Sequence, residues 1–219
     1  AFFFHKPDIC WKIRGERMYE LFFLRHGESE GVRKQLLQGR VDFPLTDPGR
    51  KQIESLARYW FAQRISFDQI FTSPLKRARE SAQIIAAQLN SPQIIEEEAW
   101  IERDFGKGEG VSLQKIASWY TGKPWPSAFE PLYETGETEW QIHLRAGRAV
   151  QMLLQYPHGR YLIVSHGNLI NAVLHGIFGI LPSGCTPLIE LALEPGCYAQ
   201  VNCYTERNRW RLVSFNEHA

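Results

Sequence analysis

No apolar run in this 219-residue chain approaches the roughly 20 residues that span a bilayer. The opening "AFFFHKPDIC" is too short, and too soon interrupted by charge, for a secretory signal. Neither sign of charge dominates: 25 basic and 24 acidic residues leave a formal net charge of +1, with no long block of one sign. Electrostatic docking on nucleic acid or on a lipid surface is therefore not expected, and any anion site has to be local. The four cysteines, Cys10, Cys185, Cys197 and Cys203, form no C-x-x-C pair and no paired metal spacing, which argues against a zinc site or a disulfide framework. There is no G-x-x-x-x-G-K-[ST] loop for a nucleotide, no solenoid-type repeat and no low-complexity tract. A cytoplasmic location and no metal or other cofactor are the expectations these absences leave.

What is present is a recurring alternation. Residues 19–24 form a continuous apolar run bounded by polar residues, the pattern of a strand buried on both faces. "TDPGRKQIESLARYWFAQ" reads as a helix capped by Thr46 or Asp47 with Pro48 in its first turn. Residues 67–73, "FDQIFTS", read as a second strand, and "PLKRARESAQIIAAQL" as a helix begun by Ser73 and Pro74. The pattern returns when residues 160–165, "RYLIVS", precede "HGNLINAVLHGIFG", and residues 137–155 before them give a helix with Trp140, Leu144, Val150 and Leu154 on one face. Such alternation predicts an α/β fold: a three-layer α/β/α sandwich around a mostly parallel sheet. The tail alternates like antiparallel strands at residues 188–193, 198–204 and 210–215, an antiparallel edge.

At 44% hydrophobic residues the chain suits one domain, expected over residues 18–219. Residues 1–17 follow neither period and read as an extension. Met18 is the expected natural start, because Gly15-Glu16-Arg17 can be encoded by a purine-rich stretch like a bacterial ribosome-binding site. Residues 105–135 interleave Trp119, Tyr120, Trp125, Phe129 and Tyr133 with glycine and proline, which predicts loop and short helix. The segment reads either as an aromatic cover on the core or as a lid-like insertion walling a pocket.

Two of the inferred strands end alike, in "LFFLRHG" and "LIVSHG". Parallel strands place their C-terminal ends on one edge, where open α/β sheets bind ligands, so His26 and His166 are expected to face each other. A lone histidine after a strand is ordinarily a polar residue at a turn; the pair, with Arg25 beside His26 and Arg77 in the first turn of the helix after "FTSP", is more. Counted as four cations, such a cluster calls for a counter-ion, since unit charges roughly 4 Å apart interact by about 4 kcal/mol near a protein surface. Phosphate supplies that charge, and the planar guanidinium fork matches its oxygens in pairs. Metal binding is the weaker alternative, because it wants another ligand and tolerates no surrounding cations.

"LRHGES" at 24–29, "SPLKRARESA" at 73–82, "WIERDFGKGEG" at 100–110, "TGETEWQIHLR" at 135–145 and "VSHGN" at 164–168 resemble, in order, the motifs of the histidine phosphatase superfamily, which includes cofactor-dependent phosphoglycerate mutases. R-H-G alone would be a weak signal; five ordered blocks over most of the chain after Met18 are specific. The resemblance implies a phosphoglycerate mutase-like fold and a metal-independent reaction through a phosphohistidine. It aligns His26 with the histidine that is phosphorylated, Arg25 and Arg77 with the phosphate-clamping arginines, His166 with the second pocket histidine and Glu102 with the general acid. Gly27, Glu28, Ser29, Gln38, Gly39, Gly167 and Asn168 are candidate substrate-binding residues. Asn168 reads equally well as a helix cap.

The same resemblance leans toward the small phosphatase branch. "LLQGRVDFPLTDPGRKQ" is closer to the Q-G-x-x-D-x-P-L-T of the small phosphatases than to the mutases' F-x-G-W, and residues 105–135 offer Lys107, Lys115 and Lys123 but no arginine pair. Val32 departs from the family, many of whose members have asparagine there. Hydrolysis of a small-molecule phosphate ester is thus the first expectation, with phosphoglycerate mutase and a non-catalytic phosphate-binding module as alternatives. The sequence leaves the choice of ester open, and equally whether the chain forms a homodimer.

Overall fold

The computed structural model describes residues 18–90, 93–122, 124, 126–184 and 189–219. The readings of residues 1–17, Lys123, Trp125, Cys185 and Leu188 lie outside these. Among the described residues no helix is long and apolar enough to cross a membrane.

Six strands form one sheet. In chain order they are β1 (Tyr19–Arg25), β2 (Gln69–Thr72), β3 (Ile94–Glu96), β4 (Arg160–Ser165), β5 (Tyr198–Tyr204) and β6 (Arg209–Glu217). Their order across the sheet is β3-β2-β4-β1-β5-β6. β3, β2, β4 and β1 run parallel, and β5 and β6 extend the sheet antiparallel beyond β1. The expected mostly parallel sheet with an antiparallel edge is what forms. The expected strand at 188–193 does not: no strand forms at residues 189–193, where backbone groups meet side chains instead. Leu191 N–H donates to Asn171 and the Leu193 carbonyl accepts from Arg25.

Helices α1 (Glu30–Arg33), α2 (Asp47–Ala62), α3 (Lys76–Leu89), α4 (Leu113–Trp119), α5 (Glu139–Leu153) and α6 (Gly167–Phe178) complete the described elements, with short 3-10 turns between. Alternate side chains of β1 go to opposite layers, as a pleated strand requires. Phe22 and Leu24 pack with Ile53, Leu56 and Trp60 of α2 and Ala78, Ala82 and Ile85 of α3. Leu21 and Phe23 pack with α5 and α6. The face of α5 that does this is Ile142, Ala146, Ala149, Val150 and Leu153, at helical spacing. The expected face was wrong in part: Leu144 is 55% exposed. Ala146 and Ala149, which let the helix approach the sheet closely, take the place of larger apolar residues on the packed face.

The helix starts are chemically specified. Thr46 caps α2 by accepting the Gly49 N–H, with Pro48 in the first turn. Thr138 and Gln141 form a reciprocal capping box on α5. α3 begins two residues later than read, after Leu75, and Ser73 is left free of capping.

Trp60 is fully buried and meets Phe22, Phe67 and Tyr198 edge-on. Trp60→Ala is expected to destabilise the fold by about 3–5 kcal/mol in chemical denaturation, whereas Leu144→Ala should change it by less than about 0.5 kcal/mol. Equal effects would contradict the packing described.

Candidate active site

β1 and β4 are paired in register, Arg25 opposite Ser165. The next residue on each is histidine, so His26 and His166 leave the same sheet edge side by side, their ring centroids 5.1 Å apart. His26 N–H donates to the Ser165 carbonyl across that edge. β2 pairs with β4 on its other side, which brings Ser73 and the start of α3, hence Arg77, to the same place.

The histidines are buried, 2% and 0% exposed. Nδ1 of His26 lies 2.7 Å from the Gly27 carbonyl, which can only accept, so the ring proton sits on Nδ1. Nε2 then carries the lone pair and accepts from Arg77 Nε–H at 3.2 Å. Burial, then Arg77 and Arg25, push the His26 pKa well below its ordinary value against the pull of the Gly27 carbonyl. Burial and the same arginines and His26 lower His166 likewise. His166 Nε2 is 2.8 Å from the Ser73 hydroxyl, while its Nδ1 is buried without a partner. The four-cation count therefore needs correcting: near neutral pH the site holds two uncharged imidazoles and two cations, because desolvation opposes charging the rings.

Arg77 is 1% exposed and donates to the Val41 and Gly39 carbonyls as well as to His26. Burial lowers its pKa to about 10, so it stays charged at neutral pH. Gly39 has φ +51°, and a Cβ there would strike the Glu109 carboxylate, so the turn that aims its carbonyl at Arg77 requires glycine. Arg25 donates to the Leu193 carbonyl at 2.7 Å, and its Nε is buried without a partner.

Glu102 is 6% exposed and caps the start of α6. One oxygen accepts from the backbone N–H of Arg103 (2.8 Å) and Leu169 (3.1 Å), the other from Asn168 N–H and its side-chain amide, both at 3.4 Å. Arg25, His26, Glu102, Gln38, Gly39, Gly167 and Asn168 line one cavity of about 270 Å³, with Phe105 and Leu113 of the 105–135 segment and Val32 in its wall.

Gly27, Glu28 and Ser29 stand elsewhere. Gly27 lies against α2, where an added Cβ would come within 2.5 Å of the Gly49 carbonyl. Glu28 accepts from the Thr46 hydroxyl at the start of α2. Ser29 caps α1 and donates to Gln38. These three fasten the loop behind His26 and do not line the cavity; their place in the motif reflects that support.

The sequence reading missed the residues that hold Glu102. Arg145 donates to the Ile101 carbonyl at 2.7 Å and to the Glu102 carbonyl at 3.3 Å, and pairs with Glu137 through two contacts of 2.8 Å. Arg40 reaches the same Glu102 carbonyl and Glu137. Ser81 links Gly27 N–H to the Arg77 carbonyl. Arg145 and Glu137 sit in the quoted "TGETEWQIHLR", but spacing alone says nothing of a partner more than 40 positions away. Among the described residues no group of three or more His, Cys, Asp or Glu side chains could hold a metal ion.

Residues 21–218 match the model of the histidine phosphatase superfamily, branch 1. An uncharacterized phosphatase, PhoE, of Bacillus subtilis is 34% identical over 199 residues, covering 91% of this chain and 95% of that one. A 2,3-bisphosphoglycerate-dependent phosphoglycerate mutase of Bartonella bacilliformis is 30% identical over 181 residues, covering 73% and 82%. Among solved structures, a mycobacterial glucosyl-3-phosphoglycerate phosphatase superposes with a TM-score of 0.77 at 23% identity, covering 92% of this chain and 100% of that one. The alpha-ribazole phosphatase of Shigella flexneri gives 0.75 at 21%, covering 91% and 97%. At those identities the likeness is one of fold. The chain belongs to the histidine phosphatase superfamily, an enzyme of the phosphatase or mutase-like kind.

The depressed histidine pKa values carry a stability consequence. Unfolded, His26 and His166 take up protons near pH 6.5; folded, they do so only well below it. Stability from this source is fully present above about pH 6.5 and is lost as pH falls below it. His143 and His175, also lowered, add the same sign. Urea denaturation between about pH 7.5 and 5.5 should show a loss approaching about 1.4 kcal/mol per pH unit for each of His26 and His166, reduced in a His26→Asn, His166→Asn double variant. A slope the variant leaves unchanged would contradict the neutral, buried assignment.

Proposed function

We propose that the protein is a metal-independent phosphomonoester hydrolase that works through a phosphohistidine on His26. The observation that carries this reading is the neutral His26 Nε2 lone pair, in a cavity it shares with Glu102 and with Arg25, whose Nε is buried and unpartnered. His166, its ring 5.1 Å from that of His26 and outside the cavity lining, has an unpartnered Nδ1. Buried polar groups are nearly always partnered, so unpartnered ones at a cavity suit a ligand. A phosphoryl group brings the acceptor oxygens that both would take. The proton on His166 Nδ1 follows if Ser73, which accepts from Leu75 N–H, donates its hydroxyl proton to Nε2.

In the ligand-free enzyme Arg77 Nε–H occupies the nucleophile's lone pair. A phosphate oxygen that takes this N–H frees Nε2 for attack. The P–N bond then forms as the ester P–O bond breaks, and the departing alkoxide oxygen takes a proton from Glu102. Water next attacks phosphorus, Glu102 takes the water proton, the P–N bond breaks, and inorganic phosphate leaves with His26 neutral again. Arg25, Arg77 and His166 stabilise charge on the non-bridging oxygens through both steps, and such preorganised electrostatics is ordinarily the largest part of phosphoryl-transfer catalysis. The substrate is a small-molecule phosphate ester, and the location is the cytoplasm.

Mutase chemistry is the second reading, favoured by the Bartonella relative. Against it, no lysine is among the described residues that line the cavity, and Arg40, which reaches the Glu102 carbonyl, is paired with Asp104 and Glu137. A second anionic group on the substrate has few free partners there. Supplied with 3-phosphoglycerate, the enzyme should release free phosphate; accumulation of 2-phosphoglycerate would replace hydrolase by mutase. His26→Ala should lower aryl phosphatase activity by at least about 10³-fold, with EDTA without effect on the wild type. Glu102→Gln should harm alkyl esters more than aryl phosphates, because only the poor leaving group needs the proton. Equal losses would remove Glu102 from the acid role.

A further inference from the structure

A second cavity, of about 420 Å³, adjoins the first and shares Asn168, Asn171 and Glu190 with it. It lies beside α5 and α6, and its lining is mixed. Ile142, Ala172, Ile180, Leu181 and Ile189 supply an apolar wall such as the carbon face of a polyol would meet, while Arg103, Glu139, His143, Asn171 and His175 are polar. Their hydrogen-bonding state is unequal. Arg103 is spent on Glu139 and on the Glu137 carbonyl. Asn171 accepts from Leu191 N–H through its Oδ1, which turns its amide N–H groups into the remaining capacity.

His175 is 7% exposed, and its Nε2 is buried with no partner. A neutral ring nitrogen either donates or accepts, and a hydroxyl can meet it in both cases, so His175 Nε2 is an open hydrogen-bonding position. Burial holds this ring below its ordinary pKa, which keeps it neutral at pH 7. Glu190, exposed at the junction of the cavities, adds a carboxylate.

The cavity beside the phosphate pocket thus offers an unpartnered ring nitrogen at His175, an acceptor at Glu190 and a donor at Asn171, with no uncommitted cation among its described residues. A hydroxyl group both donates and accepts, which matches that set. A carboxylate or second phosphate only accepts and would meet Glu139 and Glu190. An alkyl chain would leave His175 Nε2 and the Asn171 amide unsatisfied.

We propose that this cavity holds the leaving alcohol of the substrate, and that the alcohol is polyhydroxylated and carries no second negative charge. This rests on the hydrolase reading above and names its substrate class. His175 and Asn171 are then specificity-determining residues, in contact with the alcohol and remote from the phosphorus. A site built to bond a hydroxyl discriminates strongly against the analogue that lacks it, since its own polar groups are then stranded.

The test uses the full chain and four probes: sorbitol 6-phosphate, n-hexyl phosphate, 3-phosphoglycerate and 4-nitrophenyl phosphate. The wild type is expected to show kcat/KM for sorbitol 6-phosphate at least about tenfold above that for hexyl phosphate and for 3-phosphoglycerate. His175→Phe and Asn171→Leu should each shrink the sorbitol-to-hexyl ratio toward one, and His175→Gln, whose amide can both donate and accept, should recover part of it. A ratio is read because it is indifferent to how much of each variant folds. A wild type that hydrolyses 4-nitrophenyl phosphate but prefers hexyl phosphate or 3-phosphoglycerate overturns this subsite alone, as do variants that leave the ratio unchanged. A wild type that hydrolyses none of the four overturns the reaction beneath it.

Discussion

Two parallel strands paired in register, each followed at once by histidine, are the constraint from which the site follows. Arg25 opposite Ser165 fixes where His26 and His166 emerge, and the pairing of β2 on the far side of β4 brings Ser73 and Arg77 to the same edge. A slip of either pairing would carry the histidines apart and turn the alternate apolar residues of β1 out of their layers. The packing that buries Leu21 and Phe23 on one face and Phe22 and Leu24 on the other is therefore also what sets the distance between two catalytic candidates.

That same burial sets their chemistry. Rings taken out of water next to two arginines stay uncharged, and the carbonyl of Gly27 decides which nitrogen of His26 keeps its lone pair. Burial works against the charge of the arginines too, and the Glu102 carboxylate counters that effect; their N–H groups are held by the backbone carbonyls of Gly39, Val41 and Leu193. Glu102 is secured from the other side, by backbone N–H groups at the start of α6 and by Arg145 and Arg40 on its own carbonyl. The site's geometry depends on loops as much as strands, and each loop is fastened by a specific hydrogen bond.

The strands and most helices were legible because apolar runs, caps and prolines are local signals. Four of the five candidate site residues could be placed for a related reason: Arg25, His26, Arg77 and His166 sit at strand ends or helix starts, whereas Glu102 lies in a loop and only the family resemblance singles it out. Less legible was what depends on distant pairing. Arg145 reaches the Glu102 carbonyl from across the fold while Glu137 holds Arg145, and nothing in spacing announces it. Residues 189–193 looked like a strand by composition, yet their backbone is taken up by Asn171 and Arg25, a competition between side chains and ladder that periodicity cannot register. The α5 face was misread because alanine contributes little hydrophobic signal while permitting the closest packing. The charge of the histidines could not be read at all, since it is decided by burial.

The central claim is that His26 Nε2 forms a bond to phosphorus. The most direct measurement is rapid quenching of the enzyme with a phosphate ester, under conditions that preserve acid-labile phosphoramidates, followed by peptide mass spectrometry. The expected result is a single phosphoryl group on His26, absent in His26→Asn and lost on acid treatment. Turnover of the ester with no phosphoryl group on His26 under any quench, or with the label on another residue, would contradict it.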